Sequence, residues 1–229
     1  MKNENYFFSG FKAMIPILTG AIPFGAVVGT VCFEAKLSLT QSMGMDFIVY
    51  AGASQLAAVD LMTKNAASLI VILTGLIINL RFLLYSAALS PIVQRSNFLI
   101  KLFCAHTLTD QAYAVMSAND HKLKSATDAT QFYLGASVCM FIAWHTSVYA
   151  GYVFGNFAPA SLSLDFAVPL SFVALVIPTI KNKKYLYVAL FSSALSLLLY
   201  TLPFKSGLMI TALSSIGLAT FLTRNKVQL

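Results

Sequence analysis

The apolar residues of this chain fall into long blocks that short polar segments separate. A helix needs about 20 predominantly apolar residues to cross the hydrocarbon core of a bilayer. By this rule the blocks predict eight spans: 14–33, 41–63, 66–90, 98–117, 130–155, 164–180, 185–202 and 206–223. The second block contains Asp46, Gln55 and Asp60, so the sequence leaves open whether it forms one continuous helix or a broken one. The pattern predicts an all-α, polytopic transmembrane helix bundle, and it is compatible with broken helices and a degenerate inverted repeat.

Composition and charge also indicate an integral membrane protein. Of the 229 residues 58% are hydrophobic and 10% are charged, whereas roughly a quarter are charged in soluble domains. No segment resembles a soluble domain or a long linker, so residues 1–229 are expected to form a single integral membrane transporter domain. The cysteines, Cys32, Cys104 and Cys139, lie within apolar blocks and have no metal-binding or disulfide spacing, which favours small buried hydrophobic residues.

The distribution of lysine and arginine predicts the orientation. With eight spans and the N-terminus inside, ten Lys and Arg residues lie in cytoplasmic segments and four in external ones, as the positive-inside rule requires. Both termini are therefore predicted to be cytoplasmic, in a multi-pass protein of a bacterial plasma (inner) membrane. The net charge of +7 is explained by this bias and does not indicate nucleic-acid binding.

Arg81, in the block "IINLRFLLY", is the least lipid-compatible residue of the third predicted span. An arginine near the centre of a helix costs about 2.5–3.5 kcal/mol on insertion scales, so it is expected to face the bundle interior and to have a partner. On continuous helices Arg81 and Asp110 lie about 13 and 18 Å below the same membrane edge, which predicts that they pair. Gln55 is expected nearby. His106 precedes Asp110 by four residues and would share its helix face, so Asp110 and His106 are candidates for ion coupling or pairing, although a structural pair and a packing histidine are the simpler alternatives.

The stretch "YAGASQLAAV" of the second span combines small residues with one amide. Gly52, Ala53 and Ser54 allow close helix approach or a broken helix with free backbone groups. Gln55 adds donors and an acceptor. This set suits the amino and carboxylate groups of a zwitterion, and helix packing is an equally good interpretation.

The first span carries a ladder of small residues, Ala21, Gly25 and Gly29, together with Pro23. Such a ladder usually packs two helices together. The functional alternative is a kinked helix at Pro23 whose Pro23–Gly25 segment lines the substrate path.

Five stretches together resemble the AzlC family, the large subunit of bacterial branched-chain amino acid exporters. They are "IPFGAVVG" at 22–29, "YAGASQLAA" at 50–58, "LIINLRFLLYSAALSP" at 76–91, "LTDQAYAV" at 108–115 and "DFAVPLSFVALVIP" at 165–178. Each motif is weak alone, but the five occur in the family's order.

The resemblance implies a secondary transporter subunit that exports leucine, isoleucine, valine and methionine and works with a small AzlD-like membrane partner. Candidate substrate-binding residues are Gly52, Ala53, Ser54, Gln55, Asn79, Arg81, Pro23 and Gly25. The chain differs from the family pattern at Phe82 and Gln111, where histidine and glutamate are common, and these differences leave substrate and ion coupling open.

Two other functions compete with this interpretation. A non-transporting assembly or channel-like subunit would need Arg81 only for packing. An intramembrane serine hydrolase would use Ser54 with His106 or His145, but "GASQ" is not a nucleophile elbow. The chain has no Walker A pattern, and no cofactor or metal is predicted.

Overall fold

A computed structural model describes residues 5–155, 180, 182–202 and 206–223. The described residues contain α-helices and one short 3-10 turn, which confirms the all-α prediction. The helices are α1 (Tyr6–Glu34), α2 (Leu39–Val49), α3 (Gly52–Thr63), α4 (Ser68–Asn79), α5 (Arg81–Val93), α6 (Phe98–His106), α7 (Asp110–Asn119), α8 (Ala126–Phe154), α9 (Lys183–Leu198) and α10 (Ser206–Thr223). They divide into two compact units, residues 1–172 and 173–229.

Helices α1 and α8, each 29 residues long, pack against one another along their length and form the core of the first unit. Glycines make this close approach possible. A Cβ atom added to Gly29 would lie 2.0 Å from the Val148 carbonyl oxygen, and one added to Gly151 would lie 2.0 Å from the Ala26 carbonyl oxygen. The Gly25–Gly29 ladder is thus a helix-packing surface, the simpler of the two interpretations that the sequence allowed.

The second, third and fourth predicted spans are interrupted near their middles. Span 41–63 breaks between α2 and α3, where Tyr50 adopts the left-handed conformation (φ 44°, ψ 42°) and Ala51 is extended. Span 66–90 bends by 42° between α4 and α5 at Leu80. Span 98–117 breaks between α6 and α7, and the buried residues 107–109 separate the two.

Local sequence explains where these half-helices start. Ser38 and Gln41 form a reciprocal capping box at the start of α2. The Thr109 side chain accepts a hydrogen bond from the Ala112 amide and so begins α7. At the start of α3, Ala51 provides no side-chain cap, which leaves the amides of the first turn without a capping side chain.

The second unit contains α9 and α10, which pack against each other. Asn182 caps α9, and the Lys184 amine donates a hydrogen bond to the Leu222 carbonyl oxygen. Predicted spans 185–202 and 206–223 correspond to these helices.

Within the described residues one helix, α1, is both long and apolar enough to cross a membrane, and the bent pair α4–α5 passes the same test if it counts as one span. The breaks explain why the other half-helices are too short to qualify singly. Predicted span 164–180 lies almost wholly outside the described residues. The number of spans and the single-domain organisation therefore stay predictions.

Candidate substrate and ion site

The predicted ion pair between Arg81 and Asp110 is present. Each residue is the first of its helix, directly after a break, and the Arg81 Nη1–Asp110 Oδ2 distance is 3.1 Å. Tyr85 donates a hydrogen bond from its hydroxyl to Asp110 Oδ1 at 3.0 Å and stacks on Tyr113. The two charged side chains keep 29% and 27% of their exposure, so the pair is accessible to a ligand.

The start of α3 contacts the end of α4 through a hydrogen bond. The α4 residue involved, Asn79, precedes Arg81 by two positions in the chain. Asn79 donates from Nδ2 to Ser54 Oγ at 3.2 Å, and Ser54 in turn donates to the Ala51 carbonyl oxygen at 2.9 Å. Among the described residues Asn79 Oδ1 and Arg81 Nε are buried and have no hydrogen-bond partner. Such atoms cost free energy unless a ligand or water satisfies them, so this region is suited to polar groups that enter from outside the chain.

Gln55 lies in a second polar cluster, around Asp46, and its expected place beside Arg81 stays a prediction. Its Nε2 donates to Asp46 Oδ1 at 3.0 Å, and Trp144 Nε1 donates to the same oxygen at 2.8 Å. The Asp46 side chain is fully buried, and His145 Nε2 lies 3.7 Å from its other oxygen. A continuous helix over 41–63 would place Asp46 and Gln55 nine residues apart along one axis, whereas the break at Tyr50 lets Gln55 on α3 reach Asp46 on α2.

The small residues that precede Gln55 serve this packing. A Cβ added to Gly52 would lie 2.6 Å from the Trp144 ring, so only glycine lets the indole approach the start of α3. Ala53 is half-buried in the same turn. Gly25 packs against Trp144 and Ser147 from the α1 side.

His106 does not share a helix face with Asp110, and that prediction is wrong. The four-residue spacing implied a common face only if the helix were continuous, but α6 ends at His106 and α7 begins at Asp110. His106 is exposed and stacks with Tyr50. Pro23 lies on the exposed face of α1, so the structure does not bring it to the other candidate residues.

A cavity of about 230 Å³ lies along α5. Ser86, next to Tyr85, and Leu108, in the break before Asp110, are among its lining residues, and Leu89, Val93 and Cys104 give it an apolar wall. Sites for drug-sized ligands measure about 300–1,000 Å³, so this cavity suits a smaller molecule. Within the described residues no group of three or more His, Cys, Asp or Glu side chains is placed to hold a metal ion.

Sequence reasoning missed Trp144, His145 and Tyr85 as members of these clusters. Asp46 did carry a signal, because a carboxylate within an apolar block is costly and needs partners. The aromatic donors gave none, since tryptophan and tyrosine are common in apolar blocks and their partners lie on other helices.

The described residues form a helical bundle, consistent with a membrane protein, in which charged and amide side chains lie at helix breaks. The chain belongs to the AzlC family: a family model described as "AzlC protein" matches residues 16–158, more than half of the chain. It is similar to an uncharacterized membrane protein of Archaeoglobus fulgidus, with 27% identity over 217 residues, which are 91% of each chain. It is also similar to the inner membrane protein YgaZ of Escherichia coli K12, with 26% identity over 209 residues, 86% of this chain and 83% of the relative. An uncharacterized membrane protein of Helicobacter pylori J99 is 25% identical over 178 residues, 77% of this chain and 76% of the relative. No solved structure matches the chain.

Proposed function

We propose that this protein is a secondary transporter subunit that exports branched-chain amino acids from the cell. The observation that carries the proposal is the Arg81–Asp110 pair at two helix breaks, with Asn79 two residues before Arg81 and unpaired buried polar atoms on both Asn79 and Arg81. Transporters characteristically bind their substrates at discontinuous helices, whose ends and unwound segments present backbone groups.

The substrate's two charges have matching groups in this region. In the proposed bound state the amino acid carboxylate contacts Arg81 and Asn79, and its ammonium group contacts Asp110. The ion pair of the empty protein would then exchange one internal contact for two contacts with the zwitterion. The partial exposure of both side chains permits this exchange.

The aliphatic tail would occupy the cavity along α5. Leu89, Val93 and Leu108 give the tail an apolar surface, while Gln94 and Lys101 line another part of the cavity. One methylene contributes only about 1–3 kcal/mol of discrimination. We therefore expect overlapping transport of leucine, isoleucine, valine and methionine.

A small AzlD-like membrane protein is the proposed partner, as the family resemblance implies. Helices α4 and α5 expose an apolar face that a partner helix or lipid would cover, formed by Leu69, Ile72, Leu73, Leu76, Leu80, Leu83 and Leu84. The inner membrane of the cell is the proposed location.

The direct test is efflux of leucine from cells loaded with a leucine-containing dipeptide. Five strains are compared: no protein, this chain alone, this chain with an AzlD-type partner, the pair with Arg81→Ala, and the pair with Arg95→Ala. Arg95→Ala, at an exposed arginine beyond the end of α5, is the matched control. The proposal expects faster efflux that Arg81→Ala abolishes and Arg95→Ala preserves at equal membrane abundance. Unchanged efflux of all four amino acids in the paired strain would refute the substrate assignment.

Ser54→Ala separates transport from hydrolysis. In a transporter this change removes one acceptor from Asn79, and a net hydrogen bond of about 0.5–1.5 kcal/mol predicts a two- to tenfold slower efflux. In a serine hydrolase it would remove the nucleophile and with it the activity. Hydrolytic activity that Ser54→Ala abolishes, in a protein whose wild type shows no leucine efflux, would favour the enzyme.

A further inference from the structure

Asp46 and His145 face each other in an arrangement that requires a proton. His145 Nδ1 lies 2.8 Å from the Phe141 carbonyl oxygen, and because a carbonyl only accepts, Nδ1 must carry hydrogen. In the neutral ring Nε2 is then an acceptor, and it lies 3.7 Å from Asp46 Oδ2. Within the described residues neither atom has a hydrogen-bond partner, and both are buried.

Two buried acceptors in this position repel each other unless one of them is protonated. A single proton on Nε2 or on Oδ2 turns the contact into a hydrogen bond once the two atoms approach by several tenths of an ångström. A direct contact between the two atoms therefore needs a proton on one of them.

The surroundings favour either form of the protonated pair. Gln55 and Trp144 hold Asp46 Oδ1 and leave Oδ2 to His145. Phe47 and Tyr50 stack on the imidazole with centroid distances of 4.2 and 5.1 Å, and aromatic faces carry the negative partial charge that suits a cationic ring. In the described part of the chain, the titratable groups around Asp46 are His145 on α8, Cys32 on α1 and Tyr50 at the end of α2.

We propose that Asp46 and His145 form the proton-binding site that couples export to the proton gradient. This inference rests on the proposed transport function and replaces Asp110 and His106 as the coupling residues. A proton enters from the outside, occupies the pair while the protein returns to one orientation, and leaves to the cytoplasm; no covalent bond changes. Protonation cancels the charge that Gln55 faces.

The first turn of α3 connects this pair to the substrate region. Gln55 bonds to Asp46, and its neighbour Ser54 bonds to Asn79. A change in the charge of Asp46 therefore acts on the same helical turn that positions Asn79.

The transport test uses the purified complex of this chain with its AzlD-type partner in liposomes and makes two measurements. The first is leucine accumulation driven by an imposed pH gradient, and the second is exchange of labelled for unlabelled leucine at equal pH. Asp46→Asn mimics the permanently protonated carboxyl, so it should reduce gradient-driven accumulation to background while exchange stays within about twofold of wild type. Asp60→Asn, at the partly exposed aspartate that pairs with Lys64, should retain both.

Gradient-driven accumulation by Asp46→Asn at the wild-type rate would overturn the coupling proposal. So would a wild-type protein that exchanges leucine at equal pH but does not accumulate it when a pH gradient is imposed. The absence of exchange in wild-type protein for every amino acid tested would instead refute the transport function itself. The two failures are thus distinct.

A fluorescence titration tests the proton site without transport. Trp144 is the one tryptophan in the sequence, and its indole N–H donates to Asp46, so its emission reports directly on this pair. Wild-type emission should show a transition between pH 4 and 9 whose midpoint moves by at least one pH unit in Asp46→Asn and not in Asp60→Asn.

Gln55→Leu gives the direction of the effect. It removes a donor that stabilises the charged carboxylate, so the proton should be held to higher pH, and the midpoint should rise by about one to two pH units. A flat wild-type titration, or equal midpoints in wild type and Asp46→Asn, would exclude a proton site at this pair.

Discussion

At the scale of single residues, Arg81 is the unusual feature, because an arginine lies in an otherwise apolar helix and needs a structural or functional reason. Its guanidinium contacts Asp110 and lies 5.2 Å from the centroid of the Phe82 ring. A pair that served packing alone would be replaceable by apolar side chains, because hydrophobic substitution of an ion pair is often neutral or stabilising. A substrate-binding pair is not replaceable in this way.

A double substitution therefore distinguishes the two roles. Arg81→Met alone leaves Asp110 unpaired and should lower the free energy of unfolding by about 1–3 kcal/mol, between the values for exposed and buried pairs. Adding Asp110→Leu should restore thermal stability in detergent. Leucine efflux should be absent in both variants, since neither offers charges to the zwitterion. Efflux that returned together with stability in the double variant would show that the pair is structural.

The Arg81–Asp110 pair could be predicted from the sequence because a charged side chain in lipid needs a partner. Most other charged residues lie in the polar segments between the apolar blocks, so few candidates for that partner remain. The Asp46 cluster could not be predicted, since its partners come from α3 and α8, and sequence gives no register between them. His106 was misplaced for a related reason: spacing along the chain implies a common face only where the helix is continuous.

At the scale of helices, α1 and α8 provide a fixed frame against which the half-helices lie. Backbone carbonyls stand where Cβ atoms of larger residues would be, at Gly29 and Gly151 on opposite sides of the interface. Because membrane helices associate through close packing of small residues, the frame should be sensitive to single methyl groups.

Gly29→Ala should lower the melting temperature of the purified protein, because its methyl group would lie 2.0 Å from the Val148 carbonyl oxygen. Overpacking of this kind costs about 1–3 kcal/mol. Gly75→Ala on α4 is the matched control, because no atom lies within 4 Å of its added Cβ and alanine favours the helix. Equal melting temperatures for the two variants would argue against a tightly packed α1–α8 interface.

The sequence indicated a possible break in the second predicted span but not those in the third and fourth. Asp46 and Gln55 left the continuity of the second span open, and the small residues from Gly52 to Ser54 allowed a break there, but no proline or glycine marks Leu80 as a break. Tyr50 holds the left-handed conformation through tertiary packing, as it is buried against His145 and Phe141. Local propensity does not favour that conformation for a bulky residue.

At the scale of the whole molecule, the distribution of charge predicts how the protein crosses the membrane. Cys32, Cys104 and Cys139 are buried, so replacing them with alanine provides a background for single-cysteine labelling. In whole cells a membrane-impermeant maleimide should label Arg95→Cys and leave Lys124→Cys unlabelled, because eight spans with a cytoplasmic N-terminus place these positions on opposite sides. The reverse pattern would mean that the 41–63 segment does not cross and that the later loops have exchanged sides.

The measurement that tests the central claim most directly is binding of leucine to the purified protein, followed as a change in melting temperature. A ligand at a hundred times its Kd stabilises the folded state by about 2.7 kcal/mol, which is readily detected. Leucine should raise the melting temperature of wild type and of Arg95→Ala, glutamate should not, and Arg81→Ala should not respond to leucine. An equal rise in Arg81→Ala and wild type would contradict a substrate site at the helix breaks.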